Sequence, residues 1–93
     1  MKHFVYILQT RDGSFYTGLT KDLQARIDLH NEGKGAKFTK GRRPVKLVYY
    51  ETTKNLRSAI KREIEIKSFT KQKKKKLIEH FPRKFSNLRG RHR

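Results

Sequence analysis

Five side chains in this sequence have the chemistry that hydrolysis of a phosphodiester bond requires. Tyr6 and Tyr16 lie ten residues apart, Arg26 and His30 follow with the spacing of one helical turn, and Glu63 comes later. The reaction needs a group that accepts a proton from the attacking water, a cation that stabilises the pentavalent phosphate, and a divalent metal. One carboxylate can hold a magnesium ion, since that ion keeps most of its waters.

Each of these residues also has an ordinary structural interpretation. Tyrosines in strands most often pack within the sheet, and Arg26 alone is most simply a surface residue. His30, on the apolar face of a helix, is most simply a hydrogen-bonded core histidine. Glu63 can form an i, i+4 ion pair with Lys67. It is the combination of residue types, rather than any single one, that favours nuclease chemistry.

The two tyrosines belong to a predicted β-hairpin whose Asp-Gly turn is typical of such connections. If its loop has three residues and ends at Gly13 in the left-handed conformation, Tyr6 lies opposite Gly18 and Leu8 lies opposite Tyr16. Because side chains alternate between the faces of a sheet, this register places both tyrosines on one face. Gly18 then leaves a small space beside them.

Hydrophobic patterning predicts an α+β fold with three strands and about three helices. We expect the third strand to be internal, because it is apolar on both of its faces. The segment 32–44 has three glycines and five basic residues, which predicts a mobile loop that can approach a phosphate chain. The predicted strands are 3–9, 14–19 and 45–51, and the predicted helices are 20–31, 54–69 and 70–82.

The helix at 54–69 carries a carboxylate where its pattern predicts burial. Glu63 falls within the apolar stripe, whereas Glu65 lies opposite it. A carboxylate on a buried face must be paired, protonated or bound to a metal. The helix alone leaves a salt bridge to Lys67 and a metal-binding role both open. The stripe predicted to be buried consists of Leu56, Ala59, Ile60, Ile64 and Ile66.

The charge balance predicts a polyanionic partner. The chain has 25 Lys and Arg against 8 Asp and Glu, a formal net charge of +17, which repels itself unless an anion offsets it. Nucleic acid is the favoured partner. A membrane surface is disfavoured, because no apolar run approaches the ~18 residues of a span and no long amphipathic helix is evident. The residues predicted to contact nucleic acid are Lys34, Lys37, Lys40, Arg42, Arg43, Lys67, Lys73, Lys74, Lys75 and Lys76.

The organisation of the chain predicts one domain at 1–82 and a basic, flexible tail at 83–93. Ninety-three residues leave little room for a second domain. The absence of cysteine excludes a disulfide framework, and the N-terminus lacks the features of a signal peptide. We expect a cytoplasmic protein with no obligate protein partner.

The sequence resembles the GIY-YIG nuclease domain family, and most closely its small single-domain members. "VYI" (5–7) and "YTG" (16–18) look like the two halves of the motif, although Val5 and Thr17 replace its first glycine and its second isoleucine. Arg26 and His30 on a helix and Glu63 in "AIKRE" complete the pattern. The resemblance runs from Phe4 to about Ile78, and it implies a three-stranded antiparallel sheet flanked by helices.

The resemblance also implies roles for these residues. One of Tyr6 and Tyr16 would help to deprotonate the attacking water, through a bridging hydroxyl or His30, Arg26 would hold the scissile phosphate, and Glu63 would bind one Mg²⁺ or Mn²⁺ ion. A tyrosine base needs a nearby cation to lower its pKa from about 10. The expected activity is cleavage of DNA, in repair, recombination or the processing of branched or damaged strands. The alternative is a non-catalytic protein that binds DNA or structured RNA.

Overall fold

The computed structural model describes residues 2–81 and has the predicted α+β fold. The predicted tail at 83–93 lies outside the described residues, as does Pro82. The strands are β1 (His3–Gln9), β2 (Phe15–Thr20) and β3 (Lys46–Thr53), and the helices are α1 (Leu23–Asn31), α2 (Lys37–Lys40), α3 (Leu56–Lys67) and α4 (Lys71–Glu79). None of the helices within residues 2–81 combines the length and the apolar character of a membrane span.

The three strands form one antiparallel sheet in the order β2-β1-β3. In the hairpin, Tyr6 lies opposite Gly18 and Leu8 lies opposite Tyr16, which confirms the predicted register. Gly13 ends the turn with a φ of 84°, in the left-handed region that glycine adopts without strain.

The prediction that the third strand is internal was wrong, because β1 is the central strand and β3 lies at an edge. Helices cover both faces of the sheet, so an edge strand is also apolar on both sides. Leu47 and Tyr50 pack with the core on one face, whereas Val48 and Tyr49 pack with the core on the other. A strand with apolar residues on both of its faces therefore indicates that both faces of the sheet are covered by helices. It does not indicate that the strand is central.

Two hydrophobic cores lie on opposite faces of the sheet. On the first, Leu23 and Ile27 of α1 pack against a set that includes Tyr6. On the second, Ala59 and Ile66 of α3 pack with strand and α4 residues. The candidate tyrosines therefore face α1, while α3 and α4 lie behind the sheet.

Three of the five residues in the predicted α3 stripe are exposed rather than buried. Ala59 and Ile66 are fully buried, but Leu56, Ile60 and Ile64 are 50%, 42% and 63% exposed. The helix is turned so that Arg62 reaches the sheet.

Arg62 donates to Glu51 of β3 from Nε at 2.8 Å and from Nη2 at 2.7 Å. Burial alone would raise the pKa of Glu51, but the hydrogen bonds from Arg62 and Tyr49 hold it below its usual value. Two-point pairing of this kind fixes orientation as well as position. Glu63 consequently lies at the boundary of the buried face, not at its centre.

The segment 32–44, predicted to be a loop, contains regular structure. It contains α2, and its arginines donate to backbone carbonyls within it. Arg43 Nε donates to the Lys40 carbonyl at 2.7 Å, and Arg42 Nη1 donates to the Phe38 carbonyl at 2.7 Å. The Asn31 side chain joins the end of α1 to the backbone of Val45 through two hydrogen bonds. The segment is thereby held against α1, where Thr39 reaches His30.

Candidate active site

Strands β1 and β2 and helix α1 bring three of the predicted residues into one aromatic cluster. The ring centroids of Tyr6 and Tyr16 are 6.4 Å apart, and those of Tyr16 and His30 are 5.0 Å apart. The hairpin register places both tyrosines on the face that α1 covers, and the N-cap Asp22 starts α1 so that His30 falls on its buried side. Arg26 lies one turn before His30 on the same helix.

A buried chain of hydrogen bonds passes through His30. The Tyr6 hydroxyl lies 3.1 Å from His30 Nε2, His30 Nδ1 lies 2.8 Å from Thr39 Oγ1, and Thr39 Oγ1 donates to the Ala36 carbonyl at 3.2 Å. His30 and Thr39 are fully buried, and Tyr6 is 1% exposed. A hydroxyl has one proton, so with Thr39 donating to Ala36, His30 Nδ1–H must donate to Thr39. His30 Nε2 is then free to accept the proton of Tyr6.

Burial keeps both ends of the Tyr6–His30 contact neutral. It lowers the pKa of His30 to about 4, with the charge of Arg26 adding to the effect. It raises the pKa of Tyr6 to about 12, opposed by a hydrogen bond from Arg26 and reinforced by the neighbouring Tyr16 and by the negative charge of Glu63. At neutral pH, Tyr6 therefore keeps its proton and His30 accepts it in a hydrogen bond.

Two glycines allow this close packing. A Cβ atom at Gly18 would lie 2.4 Å from the Tyr6 hydroxyl oxygen, and one at Gly35 would lie 2.3 Å from His30 Nδ1. Arg26 Nη2 donates to the carbonyl of the same Gly35 at 3.1 Å. Glycine is needed at these two positions because a side chain would displace the residues of the hydrogen-bonded chain.

Glu63 approaches the cluster from the other side of the sheet. Its helix packs on the face of Val5 and Ile7 and also against the edge strand β2. Its charge contributes to the raised pKa of Tyr6, so the two side chains interact electrostatically. The Glu63 carboxylate, 19% exposed, forms an ion pair with Lys67 Nζ at 3.2 Å. The salt bridge that the sequence left open is thus present.

The donor set around Glu63 limits how a metal could be held. Within residues 2–81, no group of three or more His, Cys, Asp or Glu side chains is placed to bind a metal. A single accessible carboxylate nevertheless suits a hard cation that keeps most of its waters and takes further oxygens from a phosphate. The Lys67 partner is 53% exposed and can move away. The chemistry of this donor fits Mg²⁺ or Mn²⁺.

A protein-family model described as "GIY-YIG catalytic domain" matches residues 2–76. The chain belongs to the GIY-YIG family. This domain is a nuclease domain, which supports hydrolysis of phosphodiester bonds in general and a nucleic-acid substrate.

Relatives of similar size share nearly the whole of this GIY-YIG domain. A UPF0213 protein of Staphylococcus epidermidis is 59% identical over 78 residues, which are 84% of this chain and 95% of the relative. A UPF0213 protein of Staphylococcus aureus is 57% identical over 77 residues, 83% and 94% of the two chains. The UPF0213 name specifies no substrate.

Two solved structures have the same fold. The solution NMR structure of a UPF0213 protein from Bacillus halodurans is 41% identical, with a TM-score of 0.59 over 94% of this chain and 93% of the other. The solution NMR structure of a protein from E. faecalis is 34% identical, with a TM-score of 0.57 over 100% and 94% of the two chains. Both alignments span nearly the whole of this chain.

The basic residues predicted to contact nucleic acid fall into two groups on opposite sides of this GIY-YIG domain. The first group lies beside the tyrosine cluster, on and around α2, and the second lies behind the sheet on α3 and α4. Most of these side chains are exposed. The first group comprises Lys34, Lys37, Lys40, Arg42 and Arg43, and the second comprises Lys67, Lys73, Lys74, Lys75 and Lys76.

Sequence reasoning missed Gly35, Phe38 and Thr39. All three lie in the segment predicted to be a mobile loop, where no helical or strand periodicity drew attention to them. The one feature of the sequence that could have indicated them is that all three lie in the glycine- and lysine-rich stretch "GKGAKFTK". Only the fold of that segment against α1 shows that Thr39 meets His30 nine residues earlier.

Proposed function

We propose that this protein is a divalent-metal-dependent endonuclease that hydrolyses DNA phosphodiester bonds. The observation that carries the proposal is the buried Tyr6–His30–Thr39 hydrogen-bonded chain, with Tyr16 and Arg26 beside it. Buried polar groups need hydrogen-bond partners in any core, but this chain also places a tyrosine hydroxyl, an imidazole and a guanidinium within reach of one another, as phosphodiester hydrolysis requires.

The two tyrosines have different roles in this proposal. Tyr16 is half-buried and is the tyrosine that would help to deprotonate the attacking water, whereas Tyr6 is almost fully buried and donates a hydrogen bond to His30. Thr39 keeps the His30 Nε2 lone pair directed at Tyr6. Because the pKa of Tyr6 is about 12 and that of His30 is about 4, the proton stays on Tyr6, and this pair acts by holding the aromatic cluster around Tyr16 in place.

Arg26 is proposed to hold the scissile phosphate. A guanidinium has five N–H donors, and the carbonyl of Gly35 and the hydroxyl of Tyr6 use part of that set. The remaining donors can pair with phosphate oxygens in the planar geometry that arginine favours. Because the Gly35 contact fixes the side chain, little entropy is lost when the phosphate binds.

Glu63 is the proposed metal-binding residue. A bound Mg²⁺ or Mn²⁺ would supply positive charge at the phosphate and the leaving oxygen. Before binding, the ion pair with Lys67 offsets the charge of the Glu63 carboxylate. The proposal extends to repair, recombination or the processing of branched or damaged DNA in the cytoplasm, which the sequence predicts.

A second candidate is a non-catalytic protein that binds DNA or structured RNA through its basic surface. The Glu63–Lys67 ion pair favours it, since a carboxylate that stays paired binds no metal. The two candidates make opposite predictions for cleavage and the same prediction for binding, which should weaken steeply with salt in both cases.

Cleavage assays separate the candidates. Plasmid, single-stranded DNA, branched DNA and a structured RNA are incubated with the protein and Mg²⁺ or Mn²⁺. The Glu63→Ala and Tyr16→Phe variants should lose cleavage, whereas Glu65→Gln, on the same helix and 57% exposed, should retain it. Cleavage that survives both Glu63→Ala and Tyr16→Phe would reject the proposed site. Tight binding with no cleavage of any substrate would establish the binding protein instead.

A further inference from the structure

Phe38 presents an exposed aromatic ring at the outer side of the tyrosine cluster. It lies on α2 and is 38% exposed, although the next residue, Thr39, is fully buried against His30. Its ring lies 6.3 Å from that of Tyr16 at an interplanar angle of 22°. Single exposed apolar residues are common and need no explanation, but this ring extends the aromatic surface of the candidate site towards solvent.

Arg42 lies over the Phe38 ring and is held there. Its Cζ atom is 4.0 Å from the ring centroid, its Nη1 donates to the Phe38 carbonyl at 2.7 Å, and its Nε is 3.3 Å from Oδ2 of Asp12. Thr10 in turn donates a hydrogen bond to Asp12 at the tip of the hairpin. The guanidinium plane is therefore positioned before any ligand arrives, which reduces the entropic cost of binding.

We propose that Phe38 and Arg42 bind the base of an unpaired nucleotide next to the phosphate that this site cleaves. The inference rests on the proposed function and adds a substrate class to it, namely single-stranded or locally unpaired nucleic acid. Unstacked bases bind proteins by stacking on aromatic rings and on arginine guanidinium planes. A regular duplex hides its base faces and offers nothing that could stack there.

The charges around Phe38 suit a nucleic-acid strand better than a second copy of this protein. Lys37 and Lys40, on the same short helix, are exposed and can contact phosphates on either side of the stacked base. A net charge of +17 makes two copies repel each other. The distance from Phe38 to Tyr16 places the stacked base beside the proposed catalytic centre, not on a remote surface.

The chain has no tryptophan, so a Phe38→Trp variant gives one fluorescent reporter at this position. It is titrated in EDTA, without cleavage, with a single-stranded oligonucleotide and with an abasic oligonucleotide of equal length. Both strands carry the same phosphate charge. We expect the base-bearing strand to quench the tryptophan and to bind about tenfold more tightly than the abasic strand, given the usual strength of base–aromatic stacking.

Leu56→Trp is the matched control, because Leu56 is 50% exposed but lies on α3, behind the sheet. Its fluorescence should not distinguish the two strands. Equal quenching by both strands in Phe38→Trp would show contact with phosphate alone and would overturn the proposal. Equal base-dependent quenching at both tryptophan positions would also overturn it, since the stacking would then be unspecific.

Variants without a reporter test the native ring. Phe38→Tyr should retain the preference for the base-bearing strand, whereas Phe38→Ser should lose about tenfold in affinity for that strand and little for the abasic one. Unchanged affinity in Phe38→Ser would refute the stacking role. Cleavage with Mg²⁺ is measured in parallel on the wild-type protein. Cleavage without base-dependent binding would refute this inference alone, and base-dependent binding without cleavage would refute the nuclease proposal alone.

Discussion

Replacing Thr39 by valine tests the hydrogen-bonded chain at the point where it is best isolated. Valine keeps the shape of threonine but removes the oxygen that lies 2.8 Å from His30 Nδ1. Because both residues are fully buried, water cannot replace the lost acceptor. A buried donor without a partner costs about 1–3 kcal/mol, so Thr39→Val should lower the free energy of unfolding by about that amount, measured by chemical denaturation.

The same substitution should change which ring nitrogen of His30 carries the proton. In the wild-type protein, Thr39 accepts from Nδ1–H and leaves Nε2 unprotonated towards Tyr6. Without that acceptor, the tautomer with a proton on Nε2 becomes favourable and Tyr6 loses its acceptor. Nitrogen chemical shifts of the labelled imidazole report this directly. If the Tyr6–His30 hydrogen bond holds the tyrosines in their catalytic positions, cleavage should also slow by about 10²-fold, the cost expected when catalytic groups are misplaced by about 1 Å.

Two further variants separate proton placement from general destabilisation. Thr39→Ser retains the hydroxyl and should restore the wild-type tautomer. Thr17→Val is the matched control, since Thr17 is buried and its Oγ1 has no hydrogen-bond partner among residues 2–81. Removing that unsatisfied hydroxyl should change stability by less than about 0.5 kcal/mol or increase it. A wild-type His30 with its proton on Nε2, or a Thr39→Val protein as stable as the wild type, would refute the reasoning.

Three other perturbations follow from the same contacts. The pKa of His30 is lowered to about 4 from an ordinary value near 6.5, so below about pH 6.5 the unfolded chain binds a proton that the folded chain excludes. The free energy of unfolding, measured by chemical denaturation, should therefore fall by about 2–3 kcal/mol between about pH 7 and pH 4. His30→Gln should show a smaller fall over the same range. Gly35→Ala places a Cβ atom 2.3 Å from His30 Nδ1 and 2.8 Å from its Cα, whereas Gly41→Ala meets nothing within 4 Å; thermal unfolding should show a loss of about 1–3 kcal/mol only in the first. Arg62→Lys cannot keep the two-point contact with Glu51 and should lower the free energy of unfolding by about 1 kcal/mol; an unchanged stability would show that α3 does not depend on this pairing.

The hairpin could be predicted because its determinants are local. A turn that ends at Gly13 fixes which residues face each other, and alternation then fixes the faces of Tyr6 and Tyr16. Arg26 and His30 could be predicted to be neighbours for the same reason, because they lie four residues apart on one helix. Sequence spacing of this kind needs no knowledge of the rest of the fold.

The rotation of α3 could not be predicted, because it depends on a partner distant in sequence. Hydrophobic periodicity favoured burial of Leu56, Ile60 and Ile64, but the contact between Arg62 and Glu51 turns the helix away from that face. An arginine paired at two points with a partly buried carboxylate competes with the burial of aliphatic side chains. The Thr39 contact with His30 escaped prediction for a related reason, since it depends on how the segment after α1 folds back.

The edge strand explains how residues from both faces of the sheet can act at one place. Tyr6 and His30 lie on the α1 face, whereas Glu63 comes from α3 on the opposite face, and β2 separates them. At the position opposite Tyr6, β2 has Gly18, where a side chain would occupy the space beside the Tyr6 hydroxyl. In the proposed function, a phosphate held by Arg26 on one face must also reach the metal at Glu63 on the other. A glycine on the edge strand permits this, because at Gly18 only the backbone of β2, with no side chain, lies between the two groups.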